Sequence, residues 1–161
     1  MKLKLKMLGI VALLFSGIGA AFFVSREEDK KLLRTRAWIE FVMFVRSSVE
    51  GYSLPISKIL ESCDAEIIAR LGYPNGELPP KSLSELVERV DIPDEESGEA
   101  VRGFLRDFGK NYREYQISRC DDCIGRLCER EKILANQLPS KKKVIFAVSL
   151  CATAAVVILL L

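Results

Sequence analysis

Met7 to Val24 reads MLGIVALLFSGIGAAFFV, with no charged residue anywhere in it. As a helix rising 1.5 Å per residue it is about 27 Å long, close to the roughly 30 Å of a bilayer's hydrocarbon core. Lys2, Lys4 and Lys6 precede it, spaced so that their ammonium groups can reach headgroups from a buried stem. A cleaved signal peptide is the alternative, with a lysine-rich start, an apolar middle and small residues from Gly17 to Ala21. Against it, the apolar stretch continues through Phe22, Phe23 and Val24. The expectation is an uncleaved transmembrane helix over 7–24.

A second run, Val144 to Leu161, follows Lys141, Lys142 and Lys143 and is again free of charge. It predicts a second transmembrane helix over 144–161. Ser149, Cys151, Ala152, Thr153, Ala154 and Ala155 give it a small-residue stretch where another helix can come close. The two runs bracket nearly all the charge of the chain. All 22 acidic residues lie between Arg26 and Lys143, with every basic residue except the first three lysines. That segment is close to neutral, which argues against a nucleic-acid partner, since such binders carry a basic stripe.

Orientation rests on the basic residues. Arg26, Lys30, Lys31, Arg34 and Arg36 follow the first run; Arg130, Lys132 and the triple lysine precede the second. By count they place the middle domain in the cytoplasm and both termini outside. The three N-terminal lysines argue the opposite. Five cysteines, an odd number, fit a reducing compartment better than a disulfide framework. The cytoplasmic placement is therefore the expectation.

The middle segment, 26–140, reads as an antiparallel helical domain. From Glu27 to Gly51 the residues Leu33, Ala37, Phe41, Phe44, Val45 and Val49 follow the 3.6 period, with Trp38 beside them. Ser53-Leu54-Pro55 restarts the chain, and one helix is expected through Ile56, Ile59, Leu60, Cys63, Ile67 and Leu71, stopping at Gly72 and Pro74. After Asn75-Gly76 and Pro79-Pro80, Ser82 with Glu85 makes a capping box for a short helix carrying Leu83, Leu86, Val87 and Val90. The acidic turn from Pro93 to Gly98 leads into Val101, Phe104, Leu105 and Phe108, its charge suiting a helix start. Gly109 breaks the pattern, and Asn111 can cap a last helix with Ile117, Cys120, Ile124, Leu127 and Leu134 on one face, closed by Pro139. The fold class expected is all-α: a helical bundle flanked by two transmembrane helices.

Chemistry is sparse. Histidine is absent, which removes the commonest general base and metal ligand. The glycines are scattered and form no phosphate-cradling loop. The sharpest local feature is Cys120-x2-Cys123-x4-Cys128, which has a proper ligand spacing at its start and could draw on Cys63 as a fourth thiolate. It lies within a helical pattern, however, where Cys120 takes a core position and free cysteine is a common small core residue. Asp121-Asp122 and the Glu129/Glu131 pair are interleaved with Arg119, Arg126 and Arg130, which reads as solvated salt-bridging faces. Tyr112 and Tyr115 read as helix-packing residues. No catalytic, cofactor-binding or metal-ligating residue is assigned, and the expectation is a non-enzymatic protein.

Four landmarks resemble the stage III sporulation protein AB family, a shortened relative of the platform protein F of type II secretion and type IV pilus machines. They are Leu8-Gly9-Ile10 through Gly19 and Phe22, then Ser48 to Ile56, then Phe108-Gly109 with Gln116 and the helix to Leu127, and the apolar ending Val156 to Leu161. The second is similar to the family's "Glu-x-x-Tyr-x-x-Thr-Pro-Leu" helix ending, with shifted spacing and the threonine replaced. Each is short; their order along most of the chain carries the resemblance. The chain departs from the family in the second run, where alanine, serine and valine stand for glycine, and in the cysteines of the last helix.

The resemblance implies a non-enzymatic scaffold in the mother-cell membrane facing the forespore during endospore formation. It would be the platform of a secretion-like channel, coupling a cytoplasmic secretion-type ATPase to other membrane components within the lipid bilayer, with room for a homo-oligomer. Two rival readings remain open. One is a generic membrane-tethered adaptor, unrelated to sporulation, whose aromatic-rich first helix recruits a partner. The other is a membrane metal or redox protein built on the cysteine cluster.

Overall fold

Apolar residues at helical spacing, with a capping side chain ahead of most short runs, set the elements of the chain. The computed structural model describes residues 2–52, 55–74, 77–90, 92–108 and 112–160, with side chains from 16 to 158 except Asp107. Six helices follow one another: α1 (Lys2–Tyr52), α2 (Ile56–Ser62), α3 (Ala65–Arg70), α4 (Leu83–Arg89), α5 (Glu95–Asp107) and α6 (Arg113–Leu160). Among the described residues there is no strand, so the protein is all-α. Among them, too, no helix is long and apolar enough to cross a membrane. The two apolar runs extend beyond the described side chains, at 7–15 and at 159–161.

The helices divide into two compact units, 1–30 with 135–161 and 31–134. Each long helix contributes to both. Ser25-Arg26-Glu27-Glu28 contains no breaker, and α1 continues through it from the apolar run into the charged segment. Pro139 does not end the last helix either: α6 runs past it to Leu160. A proline inside a helix removes one backbone hydrogen bond at a cost of about 3 kcal/mol. Ion pairs just beyond it, Lys141 with Glu28 at 2.9 Å and Lys142 with Asp29 at 2.8 Å, tie the continuation to α1.

The unit 31–134 holds the core. Trp38, Phe41, Val42 and Val45 of α1 are fully buried, together with Ile59, Leu60, Leu71, Leu86, Val101, Cys120 and Leu127. Trp38 and Phe41 meet edge to face, ring centroids 5.7 Å apart. The buried stripe of α1 runs Leu32, Thr35, Trp38, Val42, Val45 and Val49, so Leu33, expected on it, is turned outward and is 60% exposed. Thr35 is tolerated inside because its hydroxyl donates to the Lys31 carbonyl at 2.9 Å.

The helix expected from Pro55 to Leu71 is two. At Asp64 the backbone is extended, and its carboxylate accepts from the Glu66 N–H at 2.9 Å, capping α3 afresh. A carboxylate that can cap competes with helix continuation, and here it wins. Gly72 ends α3 as expected, with φ of 100°. The Tyr73 N–H donates to the Ile68 carbonyl and the Gly72 N–H to Ala69, the paired closure that favours glycine at that position. Ser82 caps α4, accepting from the Glu85 N–H at 3.1 Å, while Glu85 returns to the Lys81 N–H. The expected turn at Asn75-Gly76 and the roles of Ser53, Leu54, Gly109 and Asn111 lie outside the described residues.

Asp94 joins α5 to α6. Its carboxylate accepts from the Ser97 N–H at 3.0 Å as the α5 cap, and Arg130 of α6 donates to the same oxygen at 3.2 Å. Asp94→Ala removes cap and ion-pair partner together, with an expected loss of about 1–3 kcal/mol in chemical denaturation. Glu96→Gln, removing the exposed second partner of Arg130, changes stability by less than about 1 kcal/mol in the same measurement.

Candidate functional site

Two places could carry function: the cysteines of the core unit, and the helix pair formed by 1–30 and 135–161.

Cys63, Cys120 and Cys123 belong to one buried cluster with Phe41, Leu60 and Leu127. Cys128 is half-buried, and Cys151 is exposed in the other unit. Among the described residues no group of three or more metal-ligating side chains converges. Burial pushes the Cys120 and Cys123 thiols up to about 12 and Cys63 to about 11, with neighbouring carboxylates Asp121, Asp122 and Asp64 adding to the rise. The thiolate is the nucleophile and the ligand, so these groups are held in their inert form.

The charged residues around them bind helices together. Asp121 accepts from Arg46 of α1 at 2.6 Å, Glu131 pairs with Arg36 of α1 at 2.8 Å, and Arg126 reaches Glu99 of α5 at 3.8 Å. Most of the partners lie on other helices, which helical spacing alone does not signal for contacts so distant in sequence. Trp38 and Phe41 are buried, so a recruiting surface on α1 of this unit rests on Leu33, Met43 and Tyr52, all exposed. Tyr112 and Tyr115, expected to pack, are both exposed.

The helix pair is built differently. Gly17, Ala21 and Ser25 repeat every four residues, which places them on one stripe of α1. Ala21 is 1% exposed and Ser25 is buried. Opposite Gly17 stands Thr153, so close that a Cβ on Gly17 would overlap its hydroxyl oxygen. Thr153 in turn donates to the Ser149 carbonyl at 2.7 Å, which satisfies its hydroxyl within its own helix. The partner numbers rise on α1 as they fall on α6, from Gly17 and Thr153 to Glu28 and Lys141, so the pair is antiparallel. The small-residue stretch of the second run thus does receive a close helix. Its partner is the glycine and alanine set of the first run, a pairing for which the sequence holds both halves but no local link.

Outward from this seam the pair is apolar. Phe22, Phe23, Val24, Val148, Leu150 and Ile158 are all exposed. Between the helices lies an almost wholly apolar cavity of about 220 Å³, lined by Ile18, Ala21, Phe146, Ala147, Leu150 and Thr153 among others. Comparison with family models, with curated proteins and with solved structures gave no match in any of the three.

Two outcomes follow. Gly17→Ala forces Thr153 aside and lowers the melting temperature of the pair, at an overpacking cost of about 1–3 kcal/mol. Gly19→Ala, whose Cβ meets open space, leaves it unchanged or raises it by the helix-propensity gain of about 1 kcal/mol. The buried thiols give a second. A thiol raised in the folded state stabilises the fold fully below its unfolded value of 9.0, and that contribution is lost as pH rises toward 12. Denaturation at stepped pH should show stability falling through that window, with a shallower fall in the Cys120→Ala/Cys123→Ala double variant.

Proposed function

We propose that the chain is a membrane-anchored helical scaffold, its two apolar runs spanning the bilayer as an antiparallel pair and the unit 31–134 serving as the protein-binding platform. The observation that carries this reading is the inverted build of the helix pair. Its small residues face inward, and its large apolar residues, Phe23 at 67% exposed and Ile158 at 72%, face outward. In water such a surface is a liability well beyond scattered exposed apolar residues. In lipid it is the ordinary arrangement, because helix association there depends on close packing of small residues rather than on burying large ones.

The charge pattern supports the same reading. Two of the three carboxylates that follow the apolar run, Glu28 and Asp29, neutralise Lys141 and Lys142 across the pair. Arg26 stacks over the Phe22 ring at 5.6 Å, the posture of a cation at an apolar boundary.

For its use we follow the resemblance to the stage III sporulation protein AB family. The chain would be the platform of a secretion-like channel in endospore formation, coupling a cytoplasmic ATPase to other membrane components, with its helical unit on the cytoplasmic side.

Topology is the test. Leu78 is 81% exposed and sits outside the helices. Leu78→Cys in a background lacking Cys128 and Cys151 should react with a membrane-impermeant maleimide only after cells are permeabilised. Labelling of intact cells would place the unit outside and remove direct contact with a cytoplasmic motor. Full release of the chain by alkaline carbonate would remove the membrane anchoring itself.

A further inference from the structure

Two cations and one cavity share the helix pair, and their alignment points to a ligand. Ile18, Phe22 and Arg26 succeed one another at four-residue steps on α1; Lys143, Ala147 and Leu150 do so at steps of four and three on α6, with Phe146 beside them. Ile18, Phe146, Ala147 and Leu150 line the apolar cavity. Each stripe therefore runs from a cation into the cavity wall. At 1.5 Å per residue, Arg26 lies about 12 Å along the axis from Ile18, and Lys143 about 10 Å from Leu150. The cross-helix pairs Glu28–Lys141 and Asp29–Lys142 fix the register that puts Arg26 and Lys143 at one level.

Those same ion pairs sort the charges. Lys141 and Lys142 are matched by carboxylates on α1, while Lys143 is exposed and Arg26 contacts the Phe22 ring. Among the described residues at this level, Arg26 and Lys143 are the cations with no carboxylate in contact. The cavity, about 220 Å³ and almost wholly apolar, is a half-open groove whose rim carries the exposed Ile18, Phe146 and Leu150.

We infer that the helix pair holds one anionic phospholipid, its phosphate between Arg26 and Lys143 and one acyl chain in the cavity between Ile18 and Leu150. The inference rests on the membrane reading of this unit and deepens it: the pair selects a lipid as well as crossing the bilayer. The lipid belongs to the leaflet on the side of Lys143, where the chain leaves the bilayer. Cations near a charged surface attract anionic headgroups, and a shaped apolar slot makes the attraction a site.

The test uses the full chain, purified in detergent, delipidated, and titrated with phosphatidylglycerol or phosphatidylcholine under native mass spectrometry. One phosphatidylglycerol per chain should be retained with a preference of roughly ten-fold or more, the scale of two cations at an anionic headgroup. Arg26→Gln/Lys143→Gln should abolish the preference, and Lys81→Gln/Lys132→Gln, which removes the same charge from the other unit, should leave it intact. Ala147→Phe, filling the cavity from an exposed lining position, should abolish retention of the lipid. Equal retention of both lipids, or retention indifferent to Ala147→Phe, overturns the inference. So does a detergent-stable dimer that Ala147→Phe dissolves, because a second copy would then be the occupant. A chain released from membranes by carbonate would sink the anchoring itself; a chain that stays in the membrane without lipid preference would sink only the site.

Discussion

Arg46 on α1 meets Asp121 on α6 at 2.6 Å, and Arg36 meets Glu131 at 2.8 Å, which sets these helices antiparallel in the unit 31–134. Everything else in that unit is fitted to the groove this register creates. Phe41, Val42 and Val45 on one side and Cys120, Cys123 and Leu127 on the other leave an apolar trough. The short helices have too few residues to be stable alone. They persist because each lays one or two large apolar side chains into that trough: Ile59 and Leu60 from α2, Leu86 from α4, Val101 and Phe104 from α5. Each such side chain contributes about 1.5–3 kcal/mol by leaving water.

The polar contacts then decide where each short helix starts. Asp64, Ser82 and Asp94 each accept a backbone N–H two or three residues on, and all three stand ahead of the apolar residues their helix buries. Asp94 has a further role, because Arg130 reaches it from α6. A cap that is also a tertiary contact couples the start of α5 to the position of α6. In the other unit the corresponding constraint is steric: Gly17 admits Thr153, and no larger residue at 17 would.

Much of this was legible in the sequence. The all-helical class, the cap at Ser82, the acidic start of α5, the stop at Gly72 and most of the core faces follow from local rules. They are visible because a cap, a left-handed glycine and a 3.6-residue stripe each act within a few residues. What was hidden acts across distance or by competition. Asp64 could equally have sat mid-helix, and only its capping bond shows the break. Pro139 is a stop signal by local preference, yet α6 continues past it, beside lysines paired with carboxylates more than a hundred positions away. Leu33 and Leu32 are indistinguishable by composition, and a single residue of helical phase decides which is inside. Of the candidate site, both small-residue sets were plain to see, while their facing each other was not, since no local signal links residue 17 to residue 153.

The chain has a single tryptophan, and the fold seals it in the core of one unit beside Phe41. Its fluorescence is thus a private reporter on the unit 31–134, blind to the helix pair, which contains none. Circular dichroism, by contrast, sums the helices of both. Recorded together during unfolding, the two signals separate by subtraction what neither resolves alone. If the two halves of the long helices melt apart, the optical traces will diverge without any label having been attached.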